Sequence, residues 1–280
     1  MHNLLCAAFA RLVRCKFFYI GLGAMVLMEL YTMLTERYGI QQFGDGLEKA
    51  FFQYPMAGTL IVPAFCGLFV GEEYSGGTLR NKIIAGVSRS RIYLANLLLC
   101  MFAALCFTFA AMLTGLVVGL PIVGGFQMEP GEVVAYAVCS LGVALSTAAI
   151  ATLLTMLIPH RAVGLVVSIL LAFGLLFFGQ HLFQALGQPA YTLPTERIVK
   201  NGQVFYQVNY GADEVPNPEY PRGALRTAYR LLQAALPYGQ CFKVAFLQLG
   251  SVWMMLGGTA LCVLLSTGAG LLLFRRRDVR

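Results

Sequence analysis

Charge is what this sequence has least of. Only 12% of its 280 residues are Asp, Glu, Lys or Arg, about half the ~25% of an ordinary soluble domain. So little charge cannot solvate a surface of the usual size in water, and lipid is expected to be the solvent for much of the chain. Histidine and tryptophan are scarce as well, with three and one. His160 and His181 stand at the ends of apolar runs with no partner at metal-ligand spacing, and no CxxC occurs, which argues against a metal centre. The phosphate-binding loop G-x-x-x-x-G-K-[ST] is absent too, so the chain is not expected to hydrolyse a nucleotide by itself. No Ser/His/Asp, Cys/His or paired-carboxylate arrangement suggests an intramembrane enzyme. Of the eight cysteines, only Cys241 falls on the outer side, so no intramolecular outer disulfide is expected.

What is abundant is apolar sequence, 58% of residues. A helix needs about 20 apolar residues to cross a bilayer, and six runs qualify: Phe17–Thr35, Phe51–Val70, Ile92–Gly119, Glu132–Leu157, Ala162–Gln180 and Leu247–Phe274. They are apolar all round, without the alternation of a β-barrel, and helices satisfy their own backbone in lipid. The expected fold is therefore an all-α polytopic membrane protein with six transmembrane helices. Phe17–Thr35 is too long for the apolar core of a cleaved signal and lacks a small-residue cleavage site.

The net charge of +7 is unevenly spread. With the N-terminus inside, the inner segments hold twelve of the 20 Lys and Arg, and only Glu72, Glu73 and Asp278 as acids. That bias places both termini in the cytoplasm. It also accounts for the basic balance without nucleic acid.

Two elements flank the spans. Residues Met1–Lys16 place Leu4, Leu5, Ala8, Phe9, Leu12 and Val13 on one helical face and Asn3, Ala7, Arg11 and Arg14 on another, the pattern of an interfacial helix with arginines toward lipid phosphates. His181–Gln248 is the one sizeable soluble stretch and falls outside. Within it, Asn201-Gly202 between β-prone runs signals a hairpin. Arg222–Leu236 reads as an amphipathic helix whose Leu225, Tyr229, Leu232 and Leu236 should pack across the outer ends of the spans.

The most informative segment is Gly71–Arg91, GEEYSGGTLRNKIIAGVSRSR, a polar, basic island between two long apolar runs. Gly76-Gly77 breaks the chain, Thr78 can cap a short helix over Thr78–Ala85 with its hydroxyl, Gly86 can end it, and Ser88 starts the next. Two breaks around one short basic helix describe a docking element for a soluble partner better than a plain turn. The plain alternative is an ordinary basic inner loop. Ser75-Gly76-Gly77-Thr78 only superficially resembles the nucleotide-contacting signature of ABC ATPases, since no soluble α/β core surrounds it.

The pattern resembles the type-2 ABC transporter permeases, the transmembrane subunits of bacterial ABC exporters. The resemblance rests on the inner amphipathic helix, the six spans, an acid (Glu72 or Glu73) ending the second span before Gly77-Thr78-Leu79-Arg80, and Ser88-Arg89 opening the third. Gly86-Val87 stands where a proline would be expected, and Asn96 where a lysine would be. The resemblance implies an elbow helix at 1–16, ATPase coupling through Glu72, Glu73, Gly77, Thr78, Leu79, Arg80, Ser88 and Arg89, and a separate ABC ATPase subunit carrying ATP and Mg. It also implies a second permease copy or paralogue, residence in the bacterial cytoplasmic membrane, and a hydrophobic or amphipathic substrate. No cofactor is expected in this chain.

Glu29 is the acid well inside a span, where a charge costs at least about 2.5–3.5 kcal/mol, and it is the substrate or gating candidate. Structural hydrogen bonding is the plainer role. A secondary transporter or channel would want several such groups near the midplane, and Glu29 alone qualifies. Gly115/Gly119 and Ser146–Ala149 are small-residue faces that allow close helix approach, within the chain or across a dimer seam.

The charge bias predicts thiol accessibility on a cysteine-free background. In intact cells, Ala85→Cys should escape a membrane-impermeant thiol reagent and Tyr210→Cys should react. Labelling at 85, or none at 210, overturns this topology.

Overall fold

The computed structural model describes residues 2–39, 46–200, 203–208 and 213–276, with no side chains described at 2 and at 195–208. Helix α1 (His2–Arg14) precedes α2 (Lys16–Arg37), a short α3 (Leu47–Phe51), α4 (Tyr54–Ser75), α5 (Thr78–Ile84) and α6 (Arg89–Thr114). A π-helical turn, Gly115–Gly119, prolongs α6 into α7 (Leu120–Ile122). Then come α8 (Pro130–Leu157) and α9 (Arg161–Gly187). Six stretches are long and apolar enough to cross a membrane: Lys16–Arg37, Leu47–Ser75, Arg89–Ile122, Pro130–Leu157, Arg161–Gly187 and Val252–Arg276, the last being α12. The chain is an all-α multi-pass membrane protein.

The helices differ in how much they bury. More than half of the apolar window of α4 and of α8, and half of that of α6, is enclosed by the rest of the chain, against 22% for α9 and 17% for α12. Thus α4, α6 and α8 form the centre, packed through Val62, Cys66, Phe69, Cys100, Ala103, Phe107, Ala148 and Ala149. The outer helices leave Val166, Leu170, Phe177, Leu264 and Leu265 uncovered, as expected where acyl chains complete the packing. Ser146–Ala149 is buried within the chain. A Cβ on Gly115 or Gly119 would meet Phe51 or Leu47 and Met33, so both small-residue faces are used inside the monomer.

Between α9 and α12, β1 (Tyr191–Thr192) pairs antiparallel with β4 (Val215–Pro216), and β2 (Thr195–Lys200) with β3 (Gln203–Val208). Lys200 is opposite Gln203, a register that leaves a two-residue connection; Asn201-Gly202 itself lies outside the described residues. Helices α10 (Gly223–Ala235) and α11 (Pro237–Ala245) follow.

This insertion departs from the sequence reading in two ways. First, α10 does not bury its leucines: Leu225, Leu231 and Leu232 are exposed, and Gln233 and Ala234 are buried. The reason is glycine in the neighbours. Gly239 and Gly258 let the α10 backbone come so close that a Cβ on either would collide with Gln233 or with the Ala234 carbonyl. Arg226 turns inward, donates to the Leu186 carbonyl at 3.4 Å and lies 4.2 Å over the Tyr220 ring. Second, α11 is almost wholly buried, and the chain after it passes through Leu247 at φ 55 and Gly250 at φ 65. The last long helix therefore starts at Val252, not Leu247.

The α10–α11 joint meets α9 at Gly179 and α12 at Gly258. These lie eight residues before the end of α9 and six after the start of α12, roughly 9–12 Å below the helix ends at 1.5 Å per residue. The pair is a re-entrant wedge between two long helices. Gln240 pins it, with its side-chain amide donating to the Ala234 and Met255 carbonyls and accepting from Thr259 at 3.0 Å. Gly258→Ala should therefore cost about 1–3 kcal/mol through overpacking, read as a lowered unfolding midpoint of the purified protein. An unchanged midpoint would mean the wedge is not seated at Gly258.

Candidate functional site

Helix α4 runs on through the two acids, so Glu72 and Glu73 form its last turn. Position on the helix then separates them. Val62, Cys66, Phe69 and Glu73 recur at steps of four, three and four, and all are buried, so Glu73 ends the stripe that α4 presents to the core. Glu72 falls one position off that stripe, leaves about a third of its side chain in water and faces Arg161 at 3.6 Å.

Glu73 is 0% exposed and its charge is met from three other helices. Arg11 of α1 approaches Oε1 at 2.5 Å, and Lys82 of α5 reaches the same oxygen. Asn96 of α6 donates from Nδ2 to Oε2 at 2.8 Å and accepts from Arg11 Nη2 at 3.1 Å. The Arg11 guanidinium also stacks 4.0 Å over the Phe69 ring. Nearby, Tyr74 donates its hydroxyl to the Met156 carbonyl at 2.5 Å, tying α4 to α8. One carboxylate thus joins α1, α4, α5 and α6. Sequence reasoning missed Arg11, Lys82 and Asn96 as its partners; the usable signal was an acid at a core position of an apolar stripe.

Glu73 itself is buried and presents no surface to a partner.

Helix α5 is built by its two ends. Gly77 is its N-cap at φ 64, left-handed backbone that favours glycine. Thr78 does not cap; its hydroxyl donates to the Glu73 carbonyl at 3.2 Å and closes α4 instead. At the far end Gly86 takes φ 82, Gly86 N–H reaches the Ile83 carbonyl and Val87 N–H the Lys82 carbonyl, both at 3.0 Å, the paired bonds of a Schellman ending. Leu79 is buried and seats the helix, and Lys82 is held by Glu73. Arg80, Asn81, Ile84 and Ala85 remain exposed, Ile84 at 74%. Ser88 precedes α6 without a side-chain cap, and Arg89 donates to the Arg275 carbonyl at 3.1 Å, linking α6 to the end of α12.

Glu29 lies elsewhere, in α2 against Phe51 and the first residue of the π turn. It is 1% exposed, and neither carboxylate oxygen has a hydrogen-bond partner among the described residues. A Cβ on Gly115 would sit 2.6 Å from its Oε1, so glycine there makes room for the carboxylate. The structure does not bring Glu29 together with Glu73 or α5. Among the described residues, no group of three or more His, Cys, Asp or Glu could hold a metal.

Six apolar helices around a buried centre, with a short polar helix fastened beneath one end, define a multi-pass, permease-like membrane protein. Residues 4–179 match the model of the ABC-2 family of transporter proteins, and the chain belongs to that family. Neither a curated protein nor a solved structure gives a significant match.

The geometry predicts an asymmetry between adjacent acids. Glu73→Gln should destabilise the protein by about 3 kcal/mol, the low end for a broken buried ion pair, because Arg11 and Lys82 keep 26% and 24% of their side chains in water. Glu72→Gln should cost at most about 1 kcal/mol, as an exposed pair does. Chemical or thermal unfolding of both variants checks this; equal losses would refute the clasp.

Proposed function

We propose that this chain is the permease subunit of an ABC exporter, and that α5 is the helix on which a separate ATPase subunit docks. The observation that carries the reading is the combination at α5. An apolar side chain, Ile84, stands 74% exposed at the end of a basic helix whose other side is fixed by Leu79 and Lys82. An exposed isoleucine beside Arg80 and Asn81 suits a partner groove with an apolar floor and polar rim. Because α5 is fastened to α1, α4 and α6 through Glu73, a displacement of α5 would move those helices together. ATP binding in the partner would supply that displacement and switch the spans between two access states. Leu79 and Thr78 hold α5 in place, Gly77 sets its entry, and Ser88 and Arg89 relay its position to α6 and α12.

On this reading α1 and α5 face the cytoplasm, the insertion faces outward, and the spans sit in a bacterial cytoplasmic membrane. A second permease copy or a paralogue completes the pore. The substrate is hydrophobic or amphipathic, and ATP and Mg belong to the partner. Glu29, a buried carboxylate without a hydrogen-bond partner beside a π turn, is assigned to substrate contact or gating. The same feature favours the second reading, a secondary transporter or channel without an ATPase.

Ile84→Asp tests the choice. Burying an isoleucine is worth about 1.5–3 kcal/mol, so the variant should fold, reach the membrane and lose roughly tenfold or more in affinity for a co-expressed ATPase subunit. Export should fall with it. Normal ATPase co-purification and export by Ile84→Asp would sink the docking assignment.

A further inference from the structure

The clasp leaves positive charge unspent beside it. Between α1 and the end of α4 lies a cavity of about 370 Å³ lined by Arg11, Arg14, Cys15 and Glu72 among others. Arg11 turns two nitrogens to Glu73 and Asn96, and its Nε is buried without a hydrogen-bond partner among the described residues. Arg14 is exposed and meets no carboxylate among the described residues. Two more bases stand next to lining residues, Lys16 after Cys15 and Arg161 against Glu72. Lys16 Nζ and the Arg161 guanidinium lie 5.6 and 5.5 Å from the same ring, that of Phe17, and Arg161 reaches Glu72 at only 3.6 Å. Arg11, Lys82 and Arg161 are paired with the two acids, and Arg14 and Lys16 add two more positive charges.

We infer that this cavity holds the phosphate of an anionic phospholipid. Charge decides the sign of the ligand, and α1 decides its source. On α1, Ala8 and Leu12 are buried against the protein, while Phe9 and Val13 stay 46% and 44% exposed. In a membrane protein those two side chains belong among acyl chains. Arg14, next to Val13, is then at headgroup depth, where a basic pocket between helices selects anionic lipid. A bound phosphate would face Arg14 directly, with Lys16 next to the lining residue Cys15, and fill the space beside the Arg11 guanidinium. The lipid would brace α1 against α4 from outside, as Glu73 does from inside. The inference depends on α1 lying at the membrane surface and not on the ATPase reading.

The test is native mass spectrometry of the full chain, purified in detergent and titrated separately with phosphatidylglycerol, with phosphatidylcholine of the same acyl chains, and with inorganic phosphate. The wild type should retain phosphatidylglycerol at least about fivefold better than phosphatidylcholine, the selectivity expected from a single base near the lipid surface. Arg14→Gln/Lys16→Gln should abolish that preference, with Arg37→Gln on the other end of α2 as an unaffected control. Ala10→Glu, an exposed change in the cavity wall, should do the same and stands in if the double variant does not fold. Equal retention of the two lipids, or a preference that survives either change, overturns the site. Inorganic phosphate that binds as well as phosphatidylglycerol would mean a soluble anion and would overturn the lipid assignment.

Discussion

A carboxylate taken out of water at the end of a membrane helix costs several kcal/mol unless its charge is met and its lone pairs are filled. Glu73 meets that condition only because four helices come together. Arg11 and Lys82 supply charge, Asn96 supplies the neutral donor and also holds Arg11, and Phe69 covers the guanidinium face. None of these groups can be satisfied alone, so the positions of α1, α5 and α6 relative to α4 are mutually dependent. An apolar contact at the same place would tolerate small slips of register, whereas a charge with three polar partners does not.

The rest of the molecule divides according to what completes its packing. The central helices α4, α6 and α8 close on one another with aromatics and small residues. The peripheral helices α9 and α12 rely on a surface the chain does not provide. The wedge of α10 and α11 is intermediate. Its buried face is fixed by Gly239, Gly258 and Gln240, and its outward face carries Leu225, Leu231 and Leu232. With the wedge packed on α9 and α12 at one end, and near the other α9 tied to α4 through Arg161 and α12 to α6 through Arg89, the two ends of the bundle are held by different chemistry.

Much of this was legible in the chain. Six apolar runs of sufficient length translate into helices because lipid leaves the backbone no other choice. The bounds were less legible where local backbone overrode hydropathy. Leu247 to Gly250 is apolar enough to begin a span, yet its left-handed residues turn the chain, and Val252 begins it. Helix α5 could be read from Gly77 and Gly86, whose positive φ values the pattern requires. The face of α10 could not be read from its own sequence, because the deciding residues, Gly239 and Gly258, belong to other helices. In the candidate site, the segment was visible but the difference between Glu72 and Glu73 was not drawn. It follows from a single step of 100° around α4, which places one acid among Cys66 and Phe69 and the other beside Arg161.

The two glycine joints of α5 also separate what must stay constant from what is free to change. Gly77, Leu79, Lys82 and Gly86 fasten the helix to its scaffold, and Arg80, Asn81, Ile84 and Ala85 are exposed. Over about two turns of chain, anchoring and outward-facing positions interleave without sharing a residue. On the docking reading proposed above, such a segment is an exchangeable address: its outer residues are free to be rewritten for a different partner while the membrane part is left untouched, and a duplicated copy of the chain would acquire a new correspondent through four substitutions on one surface.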